Sequence, residues 1–345
     1  MSEAFLPNAT IDGRYRIRSV IGAGTFGMVY AADDLRDGGF VALKSLHEKI
    51  KRQDEYLLRF EREAEVTAKL SHPSITSLVT AGRLDEEGGV TTPYLAFELV
   101  RGLPLSRLLE ARGPLSAREA VHLTAALLAA LSAAHQQGIL HRDLKPDNIL
   151  VAAPDHLITE PQAGGSLSMR LGIPEPDHES WSDLLNHTVK VLDFGLAKIL
   201  DIGQGRVKAL TKAGFAPGTA HYMSPEQARG TGDLDYRADL YAVGLLLYRM
   251  LTGEEAFPGD NAMEVISLQL GAPTPALPPT HADELNRVVQ RATAKNPADR
   301  FSSADEMAWA MRCAHNPILR SGPAPALATP PPLSKPSLLR RLFGG

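Results

Sequence analysis

His141-Arg142-Asp143-Leu144-Lys145-Pro146-Asp147-Asn148-Ile149-Leu150-Val151 and, after a polar excursion, Val189-Lys190-Val191-Leu192-Asp193-Phe194-Gly195 are the stretches that decide how this chain is read. Each sets isolated polar side chains at the edge of an apolar run. Asp143 stands between Arg142 and Leu144, Lys145 follows two residues on, and Asn148 three beyond that. Asp193 closes the run from Val189 to Leu192. Moving a phosphoryl group needs a carboxylate to orient the attacking hydroxyl, oxygen ligands for Mg²⁺, and a cation to neutralise the moving phosphate. Asp143, the pair Asn148 and Asp193, and Lys145 can fill those three roles. A lone His-Arg-Asp reads as a polar loop with a capping aspartate. An unbroken run from His141 to Asn148 followed by Asp-Phe-Gly asks for more.

Outward from that core toward the N-terminus, Tyr15 to Ile21 alternates its side chains as a half-buried strand does. Gly22-Ala23-Gly24-Thr25-Phe26-Gly27 turns the chain, and Met28-Val29-Tyr30-Ala31 returns it. Asp37-Gly38-Gly39 supplies the next turn, and Phe40-Val41-Ala42-Leu43-Lys44 makes a third strand. A glycine-rich hairpin lets backbone N–H groups approach phosphates without Cβ obstruction. The same glycine spacing occurs in plain turns and in dinucleotide-binding folds. The latter expect a helix directly after the glycines, whereas β-branched and aromatic residues follow here. Lys44 is a lone cation in an apolar strand and needs a carboxylate to hold it. Asp54 to Leu70 has helical composition, with Phe60, Ala64 and Thr67 on one face. Glu61, Glu63 and Glu65 are the candidates, and periodicity does not choose among them. Ser71-His72-Pro73 ends the helix, because the residue before proline avoids the helical region. Tyr94 to Leu99 is an apolar strand that runs into Val100-Arg101-Gly102.

Toward the C-terminus, Ser116 with Glu119 forms a capping box for a long apolar helix to Gln137, stopped by Gly138. His122 and His135 read as ordinary residues of that helix. Residues 153–187 are rich in Pro, Gly and acids, which suits a disordered or specialised excursion. Within it, Trp181-Ser182-Asp183-Leu184-Leu185 reads as an amphipathic turn that docks back. Asp239 opens another apolar helix, where an aspartate caps backbone donors. Ser303 and Glu306 make a second capping box for a last helix, Ala304 to Ala314. From Pro317 to Pro336 the chain is a proline-rich linker, and residues 337–345 set leucines beside paired arginines, which reads as a frayed tail before it reads as a short amphipathic anchor for a membrane surface or a partner.

Composition bounds these readings. The chain has 345 residues, 44% of them hydrophobic and 22% charged, enough for one large domain or two lobes around a sizeable core. A net charge of −4 argues against a dedicated nucleic-acid binder, which needs a basic face. Cys313 is the single cysteine, which excludes an intrachain disulfide and a cysteine-cluster zinc site. The first ten residues lack the basic flank and apolar core of a signal peptide. No apolar run approaches the roughly 18 residues that span a bilayer, so a cytoplasmic location is expected.

The motifs HRDLKPDN and DFG resemble the catalytic loop and metal-binding motif of the eukaryotic-type protein kinases. Lys145 directly after Asp143-Leu144 resembles their serine/threonine class, and Ser224-Pro225-Glu226-Gln227-Ala228-Arg229-Gly230 with the alanine-rich style looks like its bacterial branch. The likeness covers about 300 residues, from Tyr15 to near Ala314. Gly22 to Val29 is similar to that family's glycine-rich loop. Val41-Ala42-Leu43-Lys44 is similar to the strand whose lysine reaches the α- and β-phosphates, and Arg59-Phe60-Glu61-Arg62-Glu63-Ala64 puts Glu63 at the matching ion-pair position. The resemblance implies an α+β, two-lobed fold with a small β-rich N-lobe carrying one key helix and a larger, mainly α-helical C-lobe. It implies a kinase domain over 15–314 after an extension 1–14, with the hinge near 98–102, an unusual insertion at 153–187 and a tail from 315.

The same resemblance implies a site. ATP would lie against Ile21, Gly22, Gly24, Gly27, Val29, Ala42 and Lys44 and the backbone of Glu98 to Val100, with Phe97 as gatekeeper. Mg²⁺ would be held by Asn148 and Asp193. Asp143 would orient the substrate hydroxyl, and Lys145 would neutralise the γ-phosphate. Residues 193–226 would be the activation segment, with Thr211 as a switch residue whose phosphate meets Arg142. Thr219 would pack near Asp143 and Lys145, Glu226 would pair with Arg300, and Asp239 would tether the catalytic loop. The expected function is transfer of the γ-phosphate of ATP to serine and threonine hydroxyls of protein substrates, with autophosphorylation of the activation segment. Two alternatives stand beside it. A nucleotide-binding scaffold has no need of Lys44, Glu63, Asp143, Asn148 and Asp193 together. A small-molecule phosphotransferase of kinase-like fold has no need of a segment ending in Ser224-Pro225-Glu226.

Overall fold

The alternation that starts at Tyr15 becomes a strand in the computed structural model, which describes residues 5–24, 27–47, 54–86, 90–162, 164–194, 220–230, 234–281 and 283–315. The N-terminal sheet has six strands in the order β1-β2-β3-β4-β6-β5: β1 (Thr10–Ile11), β2 (Tyr15–Ala23), β3 (Gly27–Asp34), β4 (Phe40–Leu46), β5 (Leu78–Glu86) and β6 (Val90–Glu98). All neighbours are antiparallel. The edge strand β1 lies in the stretch that the sequence reading left as an extension. It pairs with the start of β2, and Phe5 before it is buried against Tyr30. One face of the sheet packs Tyr15, Ile17, Tyr30, Val41, Leu43 and Tyr94 together. The other receives α1 (Asp54–Thr67), whose Phe60 and Ala64 pack with Leu46 and Leu95. The helix ends before the expected Leu70 because the N–H groups of Lys69 and Leu70 bond three residues back, to Val66 and Thr67. That tightening is usual at helix ends.

The C-terminal lobe is mainly helical: α2 (Leu105–Arg112), α3 (Ala117–His135), α4 (Leu167–Leu171), α5 (Pro225–Arg229), α6 (Arg237–Thr252), α7 (Ala262–Gly271), α8 (Asp283–Ala292) and α9 (Ala304–His315). Its core joins α3, α6, α8 and α9 through Leu127, Leu131, Leu246, Val289 and Met311. The Ser116–Glu119 capping box forms as expected, and Gly138 takes a left-handed φ of +68° just past the helix end. The second box closes differently. Ser303 accepts from the N–H of Glu306, but the Glu306 carboxylate turns back to the N–H and hydroxyl of Ser302. Among the described residues no helix is long and apolar enough to cross a membrane.

A small second sheet, β7 (Gly102–Pro104), β8 (Ile149–Ala152) and β9 (Thr188–Val191), lies where the lobes meet. Ala152 faces Thr188 across an antiparallel pair, so residues 153–187 leave and return at one end of a hairpin. Asn148 precedes β8 and Asp193 follows β9, and the hairpin thereby brings them side by side. The tail from 316 lies outside the described residues.

Candidate active site

The loop before β8 is shaped by one buried carboxylate. Asp239, in the first turn of α6, accepts from the backbone N–H of His141 at 2.9 Å and of Arg142 at 2.8 Å, and contacts His135 Nε2 at 2.8 Å. Burial would raise the Asp239 carboxyl. The hydrogen bond and charge of His135, the charge of His141 and the Arg142 N–H outweigh it and hold Asp239 below the usual range. Arg142 needs this support, because its φ of +68° is left-handed and a side chain there is strained. Gln227 on α5 steadies the same residue by donating to its carbonyl at 2.8 Å. His135 is therefore not the ordinary helix residue that its sequence suggested.

The next residues converge on Asp143. Lys145 Nζ lies 3.1 Å from Asp143 Oδ2, and Asn148 Nδ2 donates to the Asp143 carbonyl at 2.7 Å and to Oδ2 at 3.2 Å. The loop is laced to the strand that carries Asp193. Leu192 donates to the Asn148 carbonyl at 2.9 Å, and His141 Nε2 bonds the Leu192 carbonyl at 2.7 Å. Phe194 is buried edge-on against the His141 ring, 4.8 Å between centroids. Asp193 itself has a left-handed φ of +57°, which turns the chain sharply after β9.

Lys44 on β4 reaches both acids at once: Nζ is 2.7 Å from Glu63 Oε1 and 2.8 Å from Asp193 Oδ1. Of the three helix carboxylates, Glu63 is therefore the partner, fully buried on the face of α1 that meets the sheet, while Glu61 pairs with Arg83. Burial would lower Lys44, but the charges of Asp193 and Glu63 outweigh it and hold the ammonium above the ordinary lysine range. Asp193 shows the converse. Burial raises it, Lys44 more than reverses that, and the carboxyl sits low. Glu63 has lost most of its water, and burial pushes it up to about 7 despite Lys44.

A deep cleft runs outward from Lys44 between the lobes. Ile21, Gly22, Val29, Ala42, Phe97, Glu98, Val100 and Asp193 line it. Gly24 and Gly27 do not. A Cβ on Gly27 would stand 1.9 Å from the Ser45 carbonyl of β4, so that glycine serves strand approach, and the Gly24 carbonyl bonds His47 Nε2 at 2.8 Å. The Glu98 side chain also turns away from the cleft, to the Ser77 N–H at 2.9 Å and Lys190 Nζ at 2.6 Å. Sequence reasoning missed Leu150, Pro104 and, from the excursion at 153–187, Leu167 and Leu171. Leu150 lies two residues after the HRDLKPDN motif, at a half-buried position of β8. Nothing in the excursion's composition pointed to the cleft.

The protein kinase domain family matches residues 15–310. The chain belongs to that family. It is 39% identical over 303 residues to the serine/threonine-protein kinase pkn3 of Myxococcus xanthus, which covers 86% of this chain and 49% of pkn3. It is 33% identical over 330 residues to the serine/threonine-protein kinase PknA of Mycobacterium tuberculosis, covering 96% of this chain and 67% of PknA. The solved kinase domain of Mycobacterium tuberculosis PknI superposes with a TM-score of 0.60 at 26% identity, covering 90% of this chain and all of that one. The fold is thus the two-lobed kinase fold, in its bacterial serine/threonine branch. The chain spans about half the length of pkn3 (49%) and of a probable serine/threonine-protein kinase of Corynebacterium efficiens (47%).

Within this kinase fold Glu226 is fixed by an ion pair. Arg300 donates to both oxygens of Glu226, at 2.7 and 2.8 Å, and both side chains are almost wholly buried. Ser224 caps α5, with Gln227 completing the box. Thr211 and Thr219 lie outside the described residues. The donor set suits a hard cation: Asn148 gives its amide hydrogens to Asp143 and keeps its carbonyl oxygen, and Asp193 offers a carboxylate. Among the described residues no cluster of three or more His, Cys, Asp or Glu could hold a metal by itself. An Mg²⁺ ion here would draw its other ligands from phosphates and water, as that ion usually does.

Proposed function

We propose that the protein is a serine/threonine kinase that transfers the γ-phosphate of ATP to hydroxyls of protein substrates, itself included. The observation that carries this reading is the double grip of Lys44 on Glu63 and Asp193, beside the Asp143–Lys145–Asn148 cluster. A charged trio of this kind, set against a hydroxyl-orienting carboxylate, suits in-line transfer. Lys44 anchors the α- and β-phosphates, and the base lies between Ile21, Ala42 and Leu150. Asn148 and Asp193 would hold Mg²⁺, which would supply charge neutralisation at the phosphates. Asp143 accepts a hydrogen bond from the substrate hydroxyl. As the oxygen–phosphorus bond forms and the bond to ADP breaks, the hydroxyl proton passes to Asp143, while Lys145 balances the charge on the moving group.

We also propose that Arg142 receives a phosphate on Thr211. A phosphate on Thr211 would meet a guanidinium whose backbone is already fixed by Asp239 and Gln227. Incubation with radiolabelled ATP, alone and with a generic protein substrate, tests the main reading. Wild type should transfer label and Asp143→Asn should not. Absence of transfer by wild type to itself and to protein overturns it. Thr211→Ala with unchanged activity and autophosphorylation overturns the switch.

A further inference from the structure

The excursion 153–187 folds, and it folds against the nucleotide cleft. Its helix α4 has five residues, far too few to be stable alone, so its position is set by anchors. Ser166 caps its start by accepting from the Met169 N–H at 3.1 Å. Gly172 ends it with a φ of +65°, so close to the Thr159 carbonyl that a Cβ would come within 2.2 Å. Backbone bonds join Thr159 to Gly172 at 2.9 Å and Gln162 to Met169 at 3.0 Å. Arg101 of the interlobe connection donates to the Thr159 carbonyl at 3.1 Å. Further along, Trp181 and Leu184 are buried in the C-lobe core, Leu184 N–H donates to Glu119 at 3.2 Å, and Arg112 donates to the Ser182 carbonyl at 3.0 Å.

Held this way, α4 contacts both β2 of the N-lobe and β7. Leu167 and Leu171 face the cleft at the rim that Ile21 and Pro104 also form, and the Arg170 guanidinium donates to the Val20 carbonyl on β2. Arg170 belongs to a segment rooted in the C-lobe and Val20 to the strand that enters the glycine-rich hairpin, so this bond spans the two lobes. Apolar side chains at the rim of a cleft whose inner end carries Lys44 and Asp193 are placed to meet the base or sugar of a nucleotide.

We propose that the excursion is an added outer wall of the ATP site: Leu167 and Leu171 contact the bound adenine nucleotide, and Arg170 is a positioning residue that clips the glycine-rich strand over it. The inference rests on the reading of the cleft as an ATP site. Nucleotide release then requires the Arg170–Val20 bond to break as the lobes part, and the excursion slows ADP release.

Calorimetric titration with Mg·ADP and pulse-chase release of radiolabelled ADP test this on the full chain. Arg170→Ala should speed release about fivefold, as expected for loss of one charge-assisted bond, and Arg170→Lys should restore part of it. Leu167→Ala, at a half-buried position, should weaken ADP about fivefold through lost apolar contact. In turnover, KM for ATP should rise while kcat stays level or rises, because ADP leaves faster. Melting of each protein without nucleotide separates a lost contact from a lost fold, and the ADP-induced rise in Tm gives a second readout. If wild type binds ADP and the Arg170→Ala and Leu167→Ala proteins bind and release it within about twofold of wild type, the wall is refuted and the kinase reading stands. If wild type binds no ADP, both fall.

Discussion

Replacing Asp239 by Asn changes one atom and tests how the loop from His141 to Asn148 is held. The carboxylate serves two backbone donors and one ring nitrogen with two oxygens: Oδ1 takes Arg142 N–H, and Oδ2 takes His141 N–H and His135 Nε2. An amide in its place must aim its NH₂ at one of these groups. The least damaging choice sets it against Arg142, which takes the Asp239 acceptor away from that part-buried N–H. A lost hydrogen bond to a charged group is worth about 1.5–3 kcal/mol, and the remaining two weaken as the charge disappears. Against this, Arg142 is freed from a left-handed conformation that costs about 1–2 kcal/mol. The net expectation is a loss of about 3 kcal/mol, measured as a shift in the urea midpoint at constant m. Activity should suffer beyond stability, since Asp143 is the next residue. A displacement of about 1 Å there costs on the order of 10²-fold in rate, read as single-turnover transfer to a generic substrate at a temperature where the variant is folded. A loss under about 1 kcal/mol together with near-normal transfer would show that Asp239 does not set the loop, and the account of Arg142 would fail with it.

Three further outcomes are expected. Arg300→Lys keeps the charge but cannot donate to both oxygens of Glu226 while also reaching the Ala294 and Arg237 carbonyls, so it should destabilise by about 3 kcal/mol in chemical denaturation. Gly27→Ala puts a Cβ against the Ser45 backbone and should cost about 2 kcal/mol while weakening nucleotide affinity, because β3 and β4 must part. Glu119 is a carboxylate that burial would raise but that Ser116, Arg112 and the Leu184 N–H hold low. Its folded value lies below the unfolded one, so its contribution is complete above about pH 4.5 and is lost as pH falls through the folded value. After allowance for solvent screening it amounts to about 1 kcal/mol. Acid titration of stability should therefore show a shallower low-pH limb in Glu119→Gln than in wild type.

The residues that were legible in the sequence share a property: the signal that marks them is local. Lys44 is conspicuous because a strand of Val, Ala and Leu has no use for a cation, and Ser116 with Glu119 because a capping box is complete within four residues. The pairing Arg300–Glu226 and the tether at Asp239 span the fold, and only the resemblance to kinases made them readable. His135 was missed because its partner lies 104 residues away in sequence, and a histidine on an apolar helix carries no mark of that partner. Glu63 shows the boundary most clearly. Its spacing, three residues after Phe60 and four before Thr67, puts it on the buried face of α1, a signal that reading the helix by composition passed over, while the sheet decides that Lys44 is the partner it meets there.

The excursion 153–187 was opaque for a different reason. Its prolines, glycines and acids are what a free loop would also contain, because each short element in it is held by contacts to something else. Trp181 and Leu184 gave a local sign of docking, and both are buried. Leu167 and Leu171 gave none, since two leucines four apart in a five-residue helix make no pattern to detect. What places them is Gly172, pressed against Thr159, and Thr159 is in turn fixed by Arg101 beside the cleft. An insertion assembled from such relays cannot be recognised from its own composition. Its position follows from the hairpin of β8 and β9, which starts and returns it beside the cleft, and from the contacts of α4 with β2 and β7, which lay Leu167 and Leu171 along the cleft wall.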